Sequence, residues 1–267
     1  MNDQQNYQQE HEELTRMVEP EAPKMGAGAR LINIFISPGE LMQNIKLYPV
    51  IFVPFIATVL IALISIPTTL QLAELSMREM SNISIERFGV DVMNFGAGFD
   101  EYGDEAAGMD IFMLISSVAS AVIVPVFMAI VSAIGVWILT KIARGSATLG
   151  QYFSMYLHIG VLTYVGSLVA GGLMVMSGNF LDVTSLAAVL MPEGNISMIS
   201  FNVLSSISIF SIWSTVLVFI GVKNLNECSN VKAGVITGIA FLAFVGFTVG
   251  ALALSLWSLE LAAGVLT

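Results

Sequence analysis

Few residues in this sequence could do chemistry, and His158 is the first to weigh. It is the one ionisable group inside a long apolar stretch, 152–178. An imidazole placed there could relay a proton or bind a metal, and an intramembrane histidine is a functional candidate by default. Both tasks need partners. No Asp, Glu or second His lies in any apolar stretch, and His11 belongs to a polar tail. His158 is therefore expected to pack and to satisfy itself locally.

Serine is the next candidate. Ser205, Ser206, Ser208 and Ser211 follow Asn202 along 199–222. With no His and acid beside them they make no nucleophilic set, so their chemistry would be hydrogen bonding, within the helix or along a solute path. Phosphate-binding glycine loops, HExxH and nucleophile-elbow patterns are absent. The lone Cys228 can form neither an internal disulfide nor a cysteine metal cluster. The segment 100–111 has acids as a calcium loop does, but Tyr102, Glu105 and Ile111 stand where ligand, glycine and bidentate glutamate are required. No catalytic residue, cofactor or metal site is expected.

The elements that would position these side chains are membrane helices. The chain is 56% hydrophobic and 11% charged, against about 25% charged residues in soluble domains. Crossing ~30 Å of hydrocarbon takes about 20 apolar residues. Five stretches reach that length, at about 47–70, 111–140, 152–178, 199–222 and 233–256. The expected fold is thus all-α, a polytopic helical membrane protein with five transmembrane helices. Its membrane domain covers 30–257, after a disordered polar tail, 1–29, and before a short tail, 258–267. No cleavable signal peptide is expected near the N-terminus.

Charge orients the bundle. The net charge is −10, yet the acids gather in the N-terminal tail and in the loop 71–110. Lys141 with Arg144, and Lys223 with Lys232, mark two short basic turns, and Lys46 precedes the first span. Basic turns stay in the cytoplasm, which places the N-terminus there and the C-terminus and acidic loop outside. No basic surface suits nucleic acid.

Local patterns add detail. Arg30–Lys46 carries an apolar run, then Ser37-Pro38-Gly39-Glu40, which fits a capping box with proline at the first helical position. Leu41, Met42 and Ile45 share one face beyond it, so this stretch is expected to be an amphipathic helix at the membrane interface. Pro54 and Pro125 are candidates for kinks. Gly234, Gly238, Gly246 and Gly250 form a stripe with four-residue spacing, suited to close helix packing within the bundle or between subunits.

Three motifs, in this order and spacing, resemble the Yip1 family of five-span membrane proteins, in its prokaryotic branch. They are Ile34-Phe35-Ile36-Ser37-Pro38-Gly39-Glu40, then Gly145 to Tyr152 leading into Met155-Tyr156, then Ile212-Trp213-Ser214 with Gly221-Val222-Lys223-Asn224-Leu225 and Lys232-Ala233. The resemblance covers Arg30 to about Leu256. It lacks the Asp-Leu-Tyr-Gly-Pro type motif that precedes span one in eukaryotic members, and Leu162-Thr163-Tyr164 stands where many relatives carry a proline. Eukaryotic members bind Rab GTPases and act in membrane traffic; the missing motif argues against that role. The resemblance implies a non-enzymatic protein of a prokaryotic cell membrane that assists or organises other membrane components, such as an export system. Its partners would be the lipid bilayer, other membrane proteins and further copies of itself. The alternative is a small transporter or channel component; a third is an enzyme acting through His158.

Overall fold

The computed structural model describes residues 23–72, 103–178, 182–190 and 198–265. Among them every extended element is an α-helix. These are α1 (Ala27–Ile36), α2 (Pro38–Leu47), α3 (Phe52–Ile64), α4 (Ile66–Leu72), α5 (Gly103–Ile142), α6 (Leu149–Ser177), α7 (Leu186–Leu190), α8 (Met198–Ser206), α9 (Ile209–Asn226) and α10 (Asn230–Val265). The acidic stretch 73–102 and the tail 1–22 lie outside the described residues.

Among the described residues, four helices are long and apolar enough to cross a membrane: Ile115–Ile142 of α5, Leu149–Ser177, Ile209–Asn226 and Asn230–Gly250 of α10. A fifth crossing is available if α3 and α4, bent by 45°, count as one. The protein is a polytopic all-α membrane protein, as its composition requires.

The breaks fall where local chemistry puts them. The bend between α3 and α4 is centred on Ser65, two residues before Pro67, whose ring clashes with the helix one turn back. Pro54, expected to kink its span, sits in the first turn of α3, where no helix bond is lost. Its carbonyl instead accepts the Thr58 hydroxyl at 2.8 Å. Helix α5 runs through Pro125 as one element. The fourth stretch is not one helix. It breaks at Ile207-Ser208, where Leu186 N–H donates to the Ile207 carbonyl at 2.8 Å and Ile209 N–H to that of Thr184 at 3.1 Å. Ser208 then opens α9 with a capping box completed by Ser211.

Arg30–Lys46 likewise forms two helices. Pro38 occupies the start of α2 as expected, but the Ser37 side chain makes no cap bond. Its backbone, at φ −141° and ψ 61°, turns the chain. Leu41, Met42 and Ile45 are fully buried, and they pack into the core with Tyr152, Met155, Leu217 and Val222 from α6 and α9. That apolar face is therefore taken up by protein.

The tightest helix contacts use glycine. A Cβ on Gly166 would run into the Phe210 ring, and one on Gly221 into the Met155 sulfur. The Gly234–Gly250 stripe is different. Built Cβ atoms at Gly238, Gly246 and Gly250 meet nothing within 4 Å, and Gly234 only touches Phe219 at 3.9 Å. The stripe faces outward with the exposed Leu242 and Leu254.

Candidate functional site at the basic end of the bundle

Polar contacts concentrate at one end of the bundle, where α2, α6 and α9 meet. The α5–α6 turn begins with Arg144 at φ 57°, and Gly145 N–H returns to the Thr140 carbonyl at 2.7 Å. Thr148 opens α6 as an N-cap with a full capping box, Gln151 answering from the third position. The Gln151 carboxamide does double duty. Its oxygen accepts Thr148 N–H at 2.7 Å and its nitrogen donates to the Lys46 carbonyl at 2.7 Å, joining the start of α6 to the end of α2.

Asn226, the last residue of α9, is the centre of this end. Its Nδ2 donates to the Tyr152 hydroxyl at 2.6 Å and to the Val222 carbonyl at 2.9 Å, and its Oδ1 accepts Ala147 N–H at 3.1 Å. Gly145 lies against it so closely that any Cβ would collide with the amide. After it, Glu227 takes a left-handed conformation, φ 49°, normally left to glycine. Glu227 pairs with Lys46, which holds its exposed carboxyl below the usual range. Lys46, Lys141, Arg144 and Lys223 thereby converge on one end, with Lys232 opening α10 beside them.

A second cluster closes the N-terminal side. Arg30 is almost wholly buried and donates to three uncharged acceptors: Met25 carbonyl at 3.2 Å, Tyr48 carbonyl at 3.0 Å and Asn44 Oδ1 at 2.5 Å. Asn44 Nδ2 in turn donates to the Pro23 carbonyl at 3.0 Å. Residues on both sides of the α1–α2 turn are thus tied into one knot.

His158 lies about one turn deeper in α6 than Ser154. It is 1% exposed, and its Nδ1 is 2.7 Å from the Ser154 carbonyl of the preceding turn. Nε2 has no hydrogen-bond partner among the described residues. Ser154 itself joins α6 to the link between α2 and α3, donating to the Val50 carbonyl at 2.7 Å and accepting Val50 N–H at 3.1 Å. The described residues hold no group of three or more His, Cys, Asp or Glu that could bind a metal. The serines near α9 are spent locally: Ser206 on the Val203 carbonyl, Ser208 and Ser211 on each other's backbone. The side chain of Asn202 lies outside the described residues. The crevice beside α9 is apolar, lined by Phe35, Leu162, Ile209, Phe210, Ile212 and Trp213.

Sequence reading singles out His158 and the glycine stripe but misses Arg30, Asn44 and Asn226. Their one signal is polarity beside, rather than within, the apolar stretches. The resemblance motifs fare better, since Gly145 to Tyr152 and the end of α9 touch each other here.

A family model described as "Yip1 domain" matches residues 32–252. The chain is similar to "Membrane protein YknW" of Bacillus subtilis (strain 168), at 25% identity over 212 residues, covering 78% of this chain and 83% of that one. No solved structure matches the chain.

Proposed function

Because this chain belongs to the Yip1 family, whose model spans residues 32–252, we propose that it is a non-enzymatic organiser of other membrane proteins, such as components of an export system. The supporting observation is the built end of the bundle. Four segments meet there through Asn226, Gln151 and the Lys46–Glu227 pair, while Lys141, Arg144 and Lys223 remain exposed at that same end. A fixed frame that displays cations suits docking. The open stripe of α10 offers a second contact surface within the membrane.

In this reading the basic end lies in the cytoplasm of a prokaryotic cell, by the bias of Lys and Arg in short loops. Five crossings then bring the end of α10 to the outside. The solute-passage alternative gains little from α9: Ser208, Ser211 and Thr215 bond to their own helix, Ser214 pairs with Thr163 of α6, and the crevice beside it is apolar.

The test is chemical crosslinking in the native membrane, followed by purification of the tagged protein and mass spectrometry. A stoichiometric membrane partner should be recovered, and lost in Gly246→Leu or in Lys141→Glu/Lys223→Glu while the thermal midpoint stays unchanged. Recovery of the protein alone, or a partner indifferent to both variants, would overturn the proposal. Solute flux through liposomes carrying the pure protein would replace it with the transporter reading.

A further inference from the structure

We infer that the α1–α2 hairpin is re-entrant: it enters the membrane from the basic end and turns back within one leaflet, its tip covered by lipid acyl chains. The base of the hairpin is fixed by polar contacts. Arg30 and Asn44 tie Pro23, Met25 and Tyr48 together, and Gln151 and Glu227 hold Lys46. These are the ends of α6 and α9 that carry the basic turns.

The tip lies elsewhere. Along α2, Met42 already touches the level of Gly221 and Met155, about one and a half turns inside α9 and α6. Phe35, next to the turn, shares a crevice with Leu162 and Trp213. Counted along α2 itself, the turn at Ser37 is nine residues from Lys46, which is held at the start of α6, or about 14 Å at 1.5 Å per residue. The hydrocarbon of one leaflet is only about 15 Å thick. A hairpin whose tip neighbours those residues is below the headgroups.

Its surface fits that place. Ile32, Phe35 and Ile36 are 58%, 40% and 69% exposed on α1, a large outlay of apolar surface if water lay there. The crevice at the tip is lined by six apolar side chains. The turn pairs part of its backbone, Ser37 N–H donating to the Asn33 carbonyl at 3.1 Å and Leu41 N–H to the Ser37 carbonyl at 3.2 Å. Such internal pairing lowers the cost of irregular backbone at membrane depth. Glu40 is exposed in the first turn of α2, and its carboxyl must reach back toward the headgroups, which keeps the tip shallow in the leaflet and stops it from crossing.

Ala29 and Ile36 lie seven residues apart on the same exposed face of α1. Spin labels at Ala29→Cys, Ile32→Cys and Ile36→Cys, each in a Cys228→Ala background, would be read in phosphatidylcholine–phosphatidylglycerol vesicles. A label at Ile212→Cys, exposed on α9, serves as a depth ruler. The ratio of oxygen to nickel-chelate accessibility should climb several-fold from Ala29 to Ile36 and approach that of Ile212, with Ile32 between. Equal ratios at Ala29, Ile32 and Ile36 would mean a helix lying flat on the surface and would overturn the inference, as would greater chelate access at Ile36. If the Ile36 variant fails to fold, the Ala29–Ile32 step decides by the same criterion.

Discussion

Asn226 donates to the Tyr152 hydroxyl at 2.6 Å, across 74 residues of sequence, and the bond joins the end of α9 to the first turn of α6. The same amide also serves the Val222 carbonyl and Ala147 N–H. Removing it strands an amide N–H and unties a turn. Asn226→Ala should lower stability by about 1–3 kcal/mol, the range for leaving buried polar groups unsatisfied. Tyr152→Phe should cost less, since Asn226 keeps its other two bonds. In a double-mutant cycle read by thermal unfolding in detergent, the two losses should be less than additive. Strict additivity would show that the bond carries no coupling.

Lys46 and Glu227 connect α2 to the end of α9. The pair holds the Glu227 carboxyl below its ordinary value of 4.5. A depressed carboxylate gives stability that is fully present above that ordinary value and is lost as pH falls through the folded one. Wild type should therefore exceed Glu227→Gln slightly in thermal midpoint near neutral pH, and the two should converge once acidification has protonated the Glu227 carboxyl in the folded state. The exposed pair should also fade with salt. A gap that survives acidification would show that the difference between the two does not come from the charge pair.

Arg30 gives its guanidinium to Met25, Asn44 and Tyr48, and no carboxylate among the described residues answers it. The knot depends on the shape of the fork more than on its charge. Arg30→Lys keeps the charge but cannot span three acceptors at fixed angles. It should loosen the hairpin nearly as much as Arg30→Met. Hydrogen exchange at Met25–Lys46 should rise in both variants while α6 keeps its protection. Full protection in Arg30→Lys would mean that a point charge suffices.

How much of this is legible in the sequence follows from the range of each interaction. Apolarity over twenty residues is a property of one stretch, so 111–140 and 152–178 emerge as helices in nearly their observed places. The helix start after Ser37 is marked by Pro38, but the breaks at Ser65 and Ser208 do not emerge, because nothing in a continuous apolar run marks where a chain turns against its neighbours. Leu41, Met42 and Ile45 are legible as one face, but lipid and protein core reward the same face. Asn44 and Asn226 gain their roles from partners 14 to 79 residues away, a distance at which composition says nothing. His158 is visible as the ionisable residue of its span, and its bond to Ser154 is the local arrangement that a four-residue spacing allows.

The glycines show where spacing and packing part company. Regular spacing singles out Gly234, Gly238, Gly246 and Gly250, yet the helices that press together do so at Gly166 and Gly221. Small residues four apart permit close approach; which helix approaches is decided by the rest of the bundle. Gly166→Ala should therefore push against the Phe210 ring, and Gly221→Ala against Met155, each losing about 1–3 kcal/mol as an overpacked site does. Gly246→Ala meets open space. In the isolated protein it should be neutral or stabilising by up to about 1 kcal/mol, the helix preference of alanine over glycine. Thermal unfolding in detergent ranks the three. If Gly246→Ala proved as costly as Gly166→Ala in the purified monomer, α10 would have to pack against its own bundle; if it cost nothing there but weakened assembly in the membrane, the stripe would be an outward-facing contact.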